Sequence, residues 1–314
     1  MSFNLSDNGK LLLLVAFLSK DNLIPYNSSS FLKELILRRD PKVKFLLDRF
    51  ESDTYSGDSL FLEKLHNLIE EESFSLYNDI FSETSLELGK SLSKDERDKK
   101  NLNEEKSLIY GEVDYQSFYK VLRKIHFKPG GTFYDLGSGT GKAVIAARLT
   151  RDFSKCIGIE ILHGLHDAAR FAVQNFHQNF RKFLNSGQTQ HTSVYHGSFL
   201  EYDWSDGDVV FANSTCFDDN LMLQMAKQAE SLKPGSIFVT FTKGLTSKKF
   251  EVLERKRYKM SWGPATVFIH RRLNQDGSSI GPSNLNILPS DRYDYDDQNN
   301  YNSAGHKTFQ HDIE

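Results

Sequence analysis

Apolar residues recur at helical spacing through the first ninety positions, as in Phe31, Leu32, Leu35 and Ile36, and again in Leu60, Leu62, Leu65, Leu68 and Ile69. This predicts an all-helical N-terminal region over residues 1–90, with Pro41 ending one pattern and opening the next. From about Leu108 the rhythm shortens. Runs of β-branched or aromatic residues at 132–136, 156–160, 192–196, 208–213, 236–241 and 266–271 alternate with helical segments. Strand and helix in alternation predict an α/β fold, a mostly parallel sheet with helices on both faces, over residues 108–273. Ten of the thirteen residues from Lys94 to Lys106 are charged with mixed sign. Such a stretch suits a solvated helix or a flexible connector, so a linker is set at 91–107. Residues 274–314 turn polar and rich in Asn and Asp, and are expected to be a mobile tail.

Composition narrows the class. A chain of 314 residues, 39% hydrophobic and 26% charged, can bury a core without disulfide or metal staples. Its two cysteines, Cys156 and Cys216, form neither a disulfide framework nor a four-thiolate zinc site, which points to an intracellular chain. The apolar run Leu11 to Leu18 is far short of the roughly 20 residues of a membrane span, so neither a transmembrane helix nor a signal peptide is expected. Net charge is -3, and seven acids against two basic residues concentrate the negative charge after position 273. The remainder is nearly neutral, which is not the footprint of a nucleic-acid binder.

The most informative segment runs from Thr132 to Lys142, an apolar strand entering a turn with glycines at 137, 139 and 141 and then an apolar helix. Bare backbone at a helix N-terminus lets a ligand approach closely. A dinucleotide fingerprint needs a third glycine where Lys142 stands; a phosphate-binding P-loop needs glycine at Leu136 and Ser or Thr at Ala143. Neither pattern is met. Asp135, just before the glycines, would repel a pyrophosphate but suits the ammonium of S-adenosyl-L-methionine. Glu160, ending the next strand, suits the two hydroxyls of an adenosine ribose. The pair around G-x-G-x-G points to a Rossmann-like class I methyltransferase with S-adenosyl-L-methionine as cofactor.

Five further pieces follow in order: Ile109 to Val113 (Ile-Tyr-Gly-Glu-Val), Gly158 to Glu160, His196 to Leu200, Asp208 to Phe217 and Met260 to Pro264. Together they resemble the disruptor-of-telomeric-silencing family, non-SET methyltransferases that modify a lysine in the core of histone H3. The resemblance implies a seven-stranded sheet and a protein substrate, histone H3 or a nucleosome, in the nucleus, with the cytoplasm as the alternative. It further implies that Tyr110, Gly111, Glu112 and Val113 fold over the methionine end of the cofactor. Asp135, Gly137, Ser138, Gly139, Gly141 and Lys142 would line its amino-acid and ribose portions, Glu160 would hold the ribose, and Ser198 and Phe199 would lie beside adenine. Asn213 would stand near the transferring methyl, with Phe217, Trp262 and Phe268 walling a lysine channel. Ser198 replaces the family's usual Asp, and Ser214 to Phe217 replaces a second Asn and aromatics.

Lysine suits such a channel: its reference pKa of about 10.4 makes deprotonation at neutral pH cost about 4 kcal/mol, which an apolar slot beside a sulfonium lowers. No metal is expected, and His163, His166 and His196 read as helix-face or strand-end residues. The basic run Glu254 to Lys259 reads as a solvated face rather than a nuclear signal. Phe171, Phe176, Phe180 and Phe183, at helical spacing, read as core. A small-molecule or non-histone methyltransferase and a non-catalytic cofactor-binding scaffold are the competing readings.

Overall fold

The computed structural model describes residues 59–125, 130–180, 190–260 and 262–280, with Leu32 and Pro41 as single positions. The rest of the expected helix around Phe31 to Ile36, the apolar run 11–18, Phe183 and the tail beyond 280 lie outside the described residues. Helix α1 (Ser59–Ile80) is followed by α2 (Leu86–Lys99), whose first turn is capped by Ser85 accepting from Leu88 N at 3.1 Å. Helix α3 (Tyr115–Lys124) is capped by Asp114 in the same way. Then come β1 (Thr132–Leu136), α4 (Lys142–Thr150), β2 (Lys155–Glu160), α5 (His163–Asn175) and β3 (His191–His196). Strand β4 (Val209–Ala212), α6 (Asp219–Ala229), β5 (Ile237–Phe241), β6 (Phe250–Met260) and β7 (Gly263–Arg272) complete the order.

Among the described residues seven strands form one sheet, in the order β3-β2-β1-β4-β5-β7-β6. The first five are parallel, and β7 runs antiparallel to both its neighbours. Parallel strands covered on both faces read as continuous apolar runs, and β1, β4 and β5 are buried at every position. One face packs against α3, α4 and α5, with α1 behind them; the other packs against α6 and Trp204. Six of these strands coincide with the predicted runs to within three residues. The seventh, β6, contains the basic run read above as a solvated face, and only part of it is solvated: Tyr258 and Met260 are buried while Arg255, Arg257 and Lys259 are exposed.

The charged stretch 91–107 begins inside α2 rather than after it. Glu96 accepts the backbone N–H groups of His163 and Gly164 at 3.0 and 2.8 Å, capping α5 from another helix. Burial pushes the Glu96 carboxyl up, but Lys100 and these two N–H donors outweigh it and hold it below its ordinary value. Ser93 donates to the Leu108 carbonyl at 2.8 Å. Helix α2 is thereby tied both to α5 and to the segment that crosses the carboxyl ends of the parallel strands, where open α/β sheets bind ligands.

Candidate functional site

The glycine turn is held from beneath. Gly137 N and Ser138 N both donate to the Ile159 carbonyl, at 2.9 and 3.0 Å, and Gly139 N donates to Glu160 Oε2 at 2.7 Å. Gly137 and Gly139 adopt φ of 81° and 54°, where a side chain is strained. Glu160 Oε1 accepts from Leu162 N at 2.8 Å, and Ile161 N–H also points at the carboxylate; with about four acceptor positions on its two oxygens, the group still has room for a hydroxyl. Burial raises the Glu160 pKa, against the lowering effect of those N–H donors.

Above the turn lies the segment 109–113. The Tyr110 ring is wedged between two glycines: a Cβ at Gly89 would stand 2.2 Å from Cε1, and one at Gly139 would stand 2.4 Å from Cε2. The Tyr110 hydroxyl donates to Glu112 Oε1 at 2.6 Å and lies 2.7 Å from Thr140 Oγ1. Burial and the Glu112 charge push its pKa well above the ordinary value, so the phenol stays a neutral donor. Glu112 Oε2 in turn accepts from Lys142 Nζ at 2.6 Å. Asn213, just past β4, donates from Nδ2 to the Gly111 carbonyl at 3.0 Å and accepts from Thr215 at 3.1 Å.

Between turn and segment is a cavity of about 370 Å³. Its walls include Tyr110, Gly111, Gly137, Gly139, Glu160, Ser198, Phe199, Asn213, Phe217 and Trp262. A smaller cavity of about 30 Å³ adjoins it and is lined by Glu112, Val113, Asp135, Ser138 and Lys142. Phe217 stacks on Phe199 with ring centroids 5.8 Å apart, and Trp262, at 39% exposure, stands at the outer side against Gly111.

Two expected site residues lie elsewhere. Gly141 caps α4 with φ of 83° and packs on Ala169, so it serves the α4–α5 contact rather than the cavity wall. Phe268 is on β7 opposite Thr240 of β5 and stacks on His270 with centroids 6.0 Å apart, away from the cavity; strand register directs it there.

Several wall residues were not anticipated: Leu86 and Lys90 of α2, Ile109, and Ile161, Leu162 and Leu165 at the start of α5. Gly89, which makes room for Tyr110, was also missed; its isolated position in a helical pattern was the available signal. His196 lies 5.2 and 5.4 Å, ring to ring, from His163 and His166. Among the described residues no group of three or more His, Cys, Asp or Glu is arranged to hold a metal ion.

Asp135 tests the fit of a cofactor. Its side chain is buried, at 2% residue exposure, and among the described residues no donor bonds to it. Burial and the nearby Glu160 charge push its pKa well above the ordinary value. A carboxylate left without a partner in such a place is costly unless a ligand completes it. The Ser138 hydroxyl is likewise buried without a partner. An ammonium at Asp135 and ribose hydroxyls at Glu160, joined by bare glycine backbone, suit S-adenosyl-L-methionine.

Sheet order, glycine turn and the two carboxylates define a class I S-adenosylmethionine-dependent methyltransferase. The chain belongs to the family described as histone methylation protein DOT1, whose model matches residues 90–262. Similar curated proteins include the H3 lysine-79 specific histone-lysine N-methyltransferase of Cryptococcus neoformans, 27% identical over 136 residues, covering 42% of this chain and 21% of that protein. Its counterpart from Dictyostelium discoideum is 26% identical over 180 residues, covering 50% and 10%. The chain thus spans about a fifth or less of the length of these two relatives. A protein-lysine N-methyltransferase of Saccharolobus islandicus is 31% identical over 137 residues, covering 43% of this chain and 67% of that one. Among solved structures, an RNA methyltransferase from Salinibacter ruber in complex with S-adenosyl-L-homocysteine overlaps 51% of this chain and 91% of its own, at 20% identity and a TM-score of 0.37.

Proposed function

We propose that the protein is an S-adenosylmethionine-dependent protein lysine N-methyltransferase, with histone H3 in chromatin as its substrate. The observation that carries the cofactor half of this reading is the buried, donorless Asp135 carboxylate beside the glycine turn. Family membership, and the activities of the relatives named above, support the lysine half.

When bound, S-adenosylmethionine supplies a methyl group on a cationic sulfur, already a good leaving group. The chain has then to bind, orient and exclude water. Asp135 would hold the ammonium, Glu160 the ribose hydroxyls, and Phe199, Leu162 and Leu165 the adenine. Ser198, whose hydroxyl accepts from Leu200 N at 3.3 Å, has no charge to offer the adenine amino group. Gly111 and its carbonyl, fixed by Asn213, would stand over the reacting end. Phe217, Trp262 and Ile109 would form the apolar approach in which a lysine amine gives up its proton to water before attack. With the amine already neutral on arrival and the bound group supplying the methyl, Phe217, Trp262 and Ile109 would have only to align the amine and keep water out, and no side chain of this chain would need to act as a general base.

The test uses purified protein and methyl-labelled cofactor with nucleosomes, free histones and cell lysate in parallel. Label is expected on histone H3, and mass spectrometry should locate it on lysine. Label on other proteins only would replace the histone by another substrate. Label confined to the low-mass fraction would favour the small-molecule reading.

A further inference from the structure

Strand β6 is the last strand of the sheet: β7 pairs with it on one side and, among the described residues, no strand pairs with it on the other. Tyr258 and Met260 are buried in the core that contains α3, and Arg255, Arg257 and Lys259 are exposed at alternating positions. Pro264 reveals where the backbone groups of these three residues point. Lys259 lies opposite Pro264, which has no N–H to give, and the Lys259 carbonyl instead accepts from Ser117 Oγ at 2.6 Å. That pair is therefore of the kind without mutual hydrogen bonds. Pair types alternate along an antiparallel ladder, so Arg257 opposite Thr266 and Arg255 opposite Phe268 are of the same kind. The N–H and C=O groups of Arg255 and Arg257 point to the open edge, on the residues whose side chains are also exposed.

The charge on this face is not balanced within the strand. Glu254 is bonded to Lys124 at 3.1 Å and to Tyr258 at 3.0 Å, and Glu251 to Arg271 at 2.7 Å. Arg255 lies over the Phe268 ring at 5.4 Å, and no acid pairs with Arg255, Arg257 or Lys259 among the described residues.

We propose that the outer edge of β6 docks an extended acidic segment of a protein partner, which adds as a further strand and sets its carboxylates against Arg255, Arg257 and Lys259. Side chains two apart on a strand are spaced by about 6.6 Å, which matches alternate acids of an extended peptide. A nucleic acid would use the cations but could not pair with the edge N–H and C=O groups, and the net charge of -3 argues against it further. The β6–β7 hairpin carries Trp262 at the cavity mouth, and the docked segment pairs its backbone along Arg255 and Arg257, the pairing ending before Lys259, whose carbonyl Ser117 already holds.

The experiment is a fluorescence-anisotropy titration of the full chain, without cofactor, into a labelled decapeptide alternating Asp with Thr. Saturable binding is expected, weakened at least about tenfold by the double substitution Arg255→Glu, Arg257→Glu and about threefold by Arg257→Gln. Methylating the peptide amides that face β6 should cost a further loss of about tenfold, which charge alone does not predict. Melting curves check that each variant is folded. No binding, equal binding of the Asn–Thr peptide, indifference to amide methylation, or binding of duplex DNA alone would overturn the proposal. In the first of those cases the cations only guard an open edge against self-association.

Discussion

Gly89 and Tyr110 are matched as hole and plug: a single methyl at Gly89 would stand 2.2 Å from the aromatic ring. Replacing a helical Gly by Ala ordinarily stabilises by about 0.5–1 kcal/mol. Here the overlap dominates, since overpacking a filled site costs about 1–3 kcal/mol. Gly89→Ala is expected to lower stability and, by shifting Tyr110 off Gly139, to weaken S-adenosylmethionine binding about tenfold. Thermal melting and titration calorimetry measure the two effects; a more stable variant with unchanged affinity would refute the match.

Asp135→Asn separates binding from stability. Removing one charge from a buried pair costs about 3–5 kcal/mol, so cofactor affinity should fall at least about a hundredfold. The protein without cofactor should gain about 1 kcal/mol, because a carboxylate with no donor is replaced by a neutral amide. Denaturant melts with and without cofactor should therefore move in opposite directions.

Asn213→Ala breaks the bond to the Gly111 carbonyl but leaves Asp135 and Glu160 in place. Single-turnover transfer should slow at least about tenfold while the cofactor Kd changes less than about threefold. Equal losses in both would make Asn213 a cofactor ligand instead.

His270 gives the fold a pH dependence. Its Nε2 accepts from Leu245 N at 3.1 Å, so Nδ1 carries the proton and donates to the Phe238 carbonyl at 3.0 Å. Burial lowers its pKa to about 4. Between about 6.5 and about 4 the unfolded chain takes up a proton that the folded one refuses, and stability falls as pH drops through that window, by up to about 3 kcal/mol. His270→Gln should flatten this part of the stability profile in urea melts.

How much was legible in advance follows from what each position has to do. The glycine turn, Asp135, Glu160 and Tyr110 are constrained in residue type by backbone geometry or charge, and they stand out against any background. Leu162, Leu165 and Leu86 line the same cavity, but an apolar wall and an apolar core use the same residues, so spacing does not separate them. Strand β6 was hidden because an edge strand faces core on one side only, and a register shift between Val252 and Glu254 interrupts the alternation that would have disclosed it. The direction of Phe268 depends on pairing with β5, a long-range fact that spacing along the chain does not carry.

The ring of Tyr110 also sets a lower bound on the catalytic unit. A fragment starting at Leu108 would keep every recognisable motif, yet one flank of that tyrosine would face solvent and the first turn of α5 would lose its borrowed carboxylate. Such a truncation should melt earlier and hold its cofactor poorly, however complete its signature looks on paper.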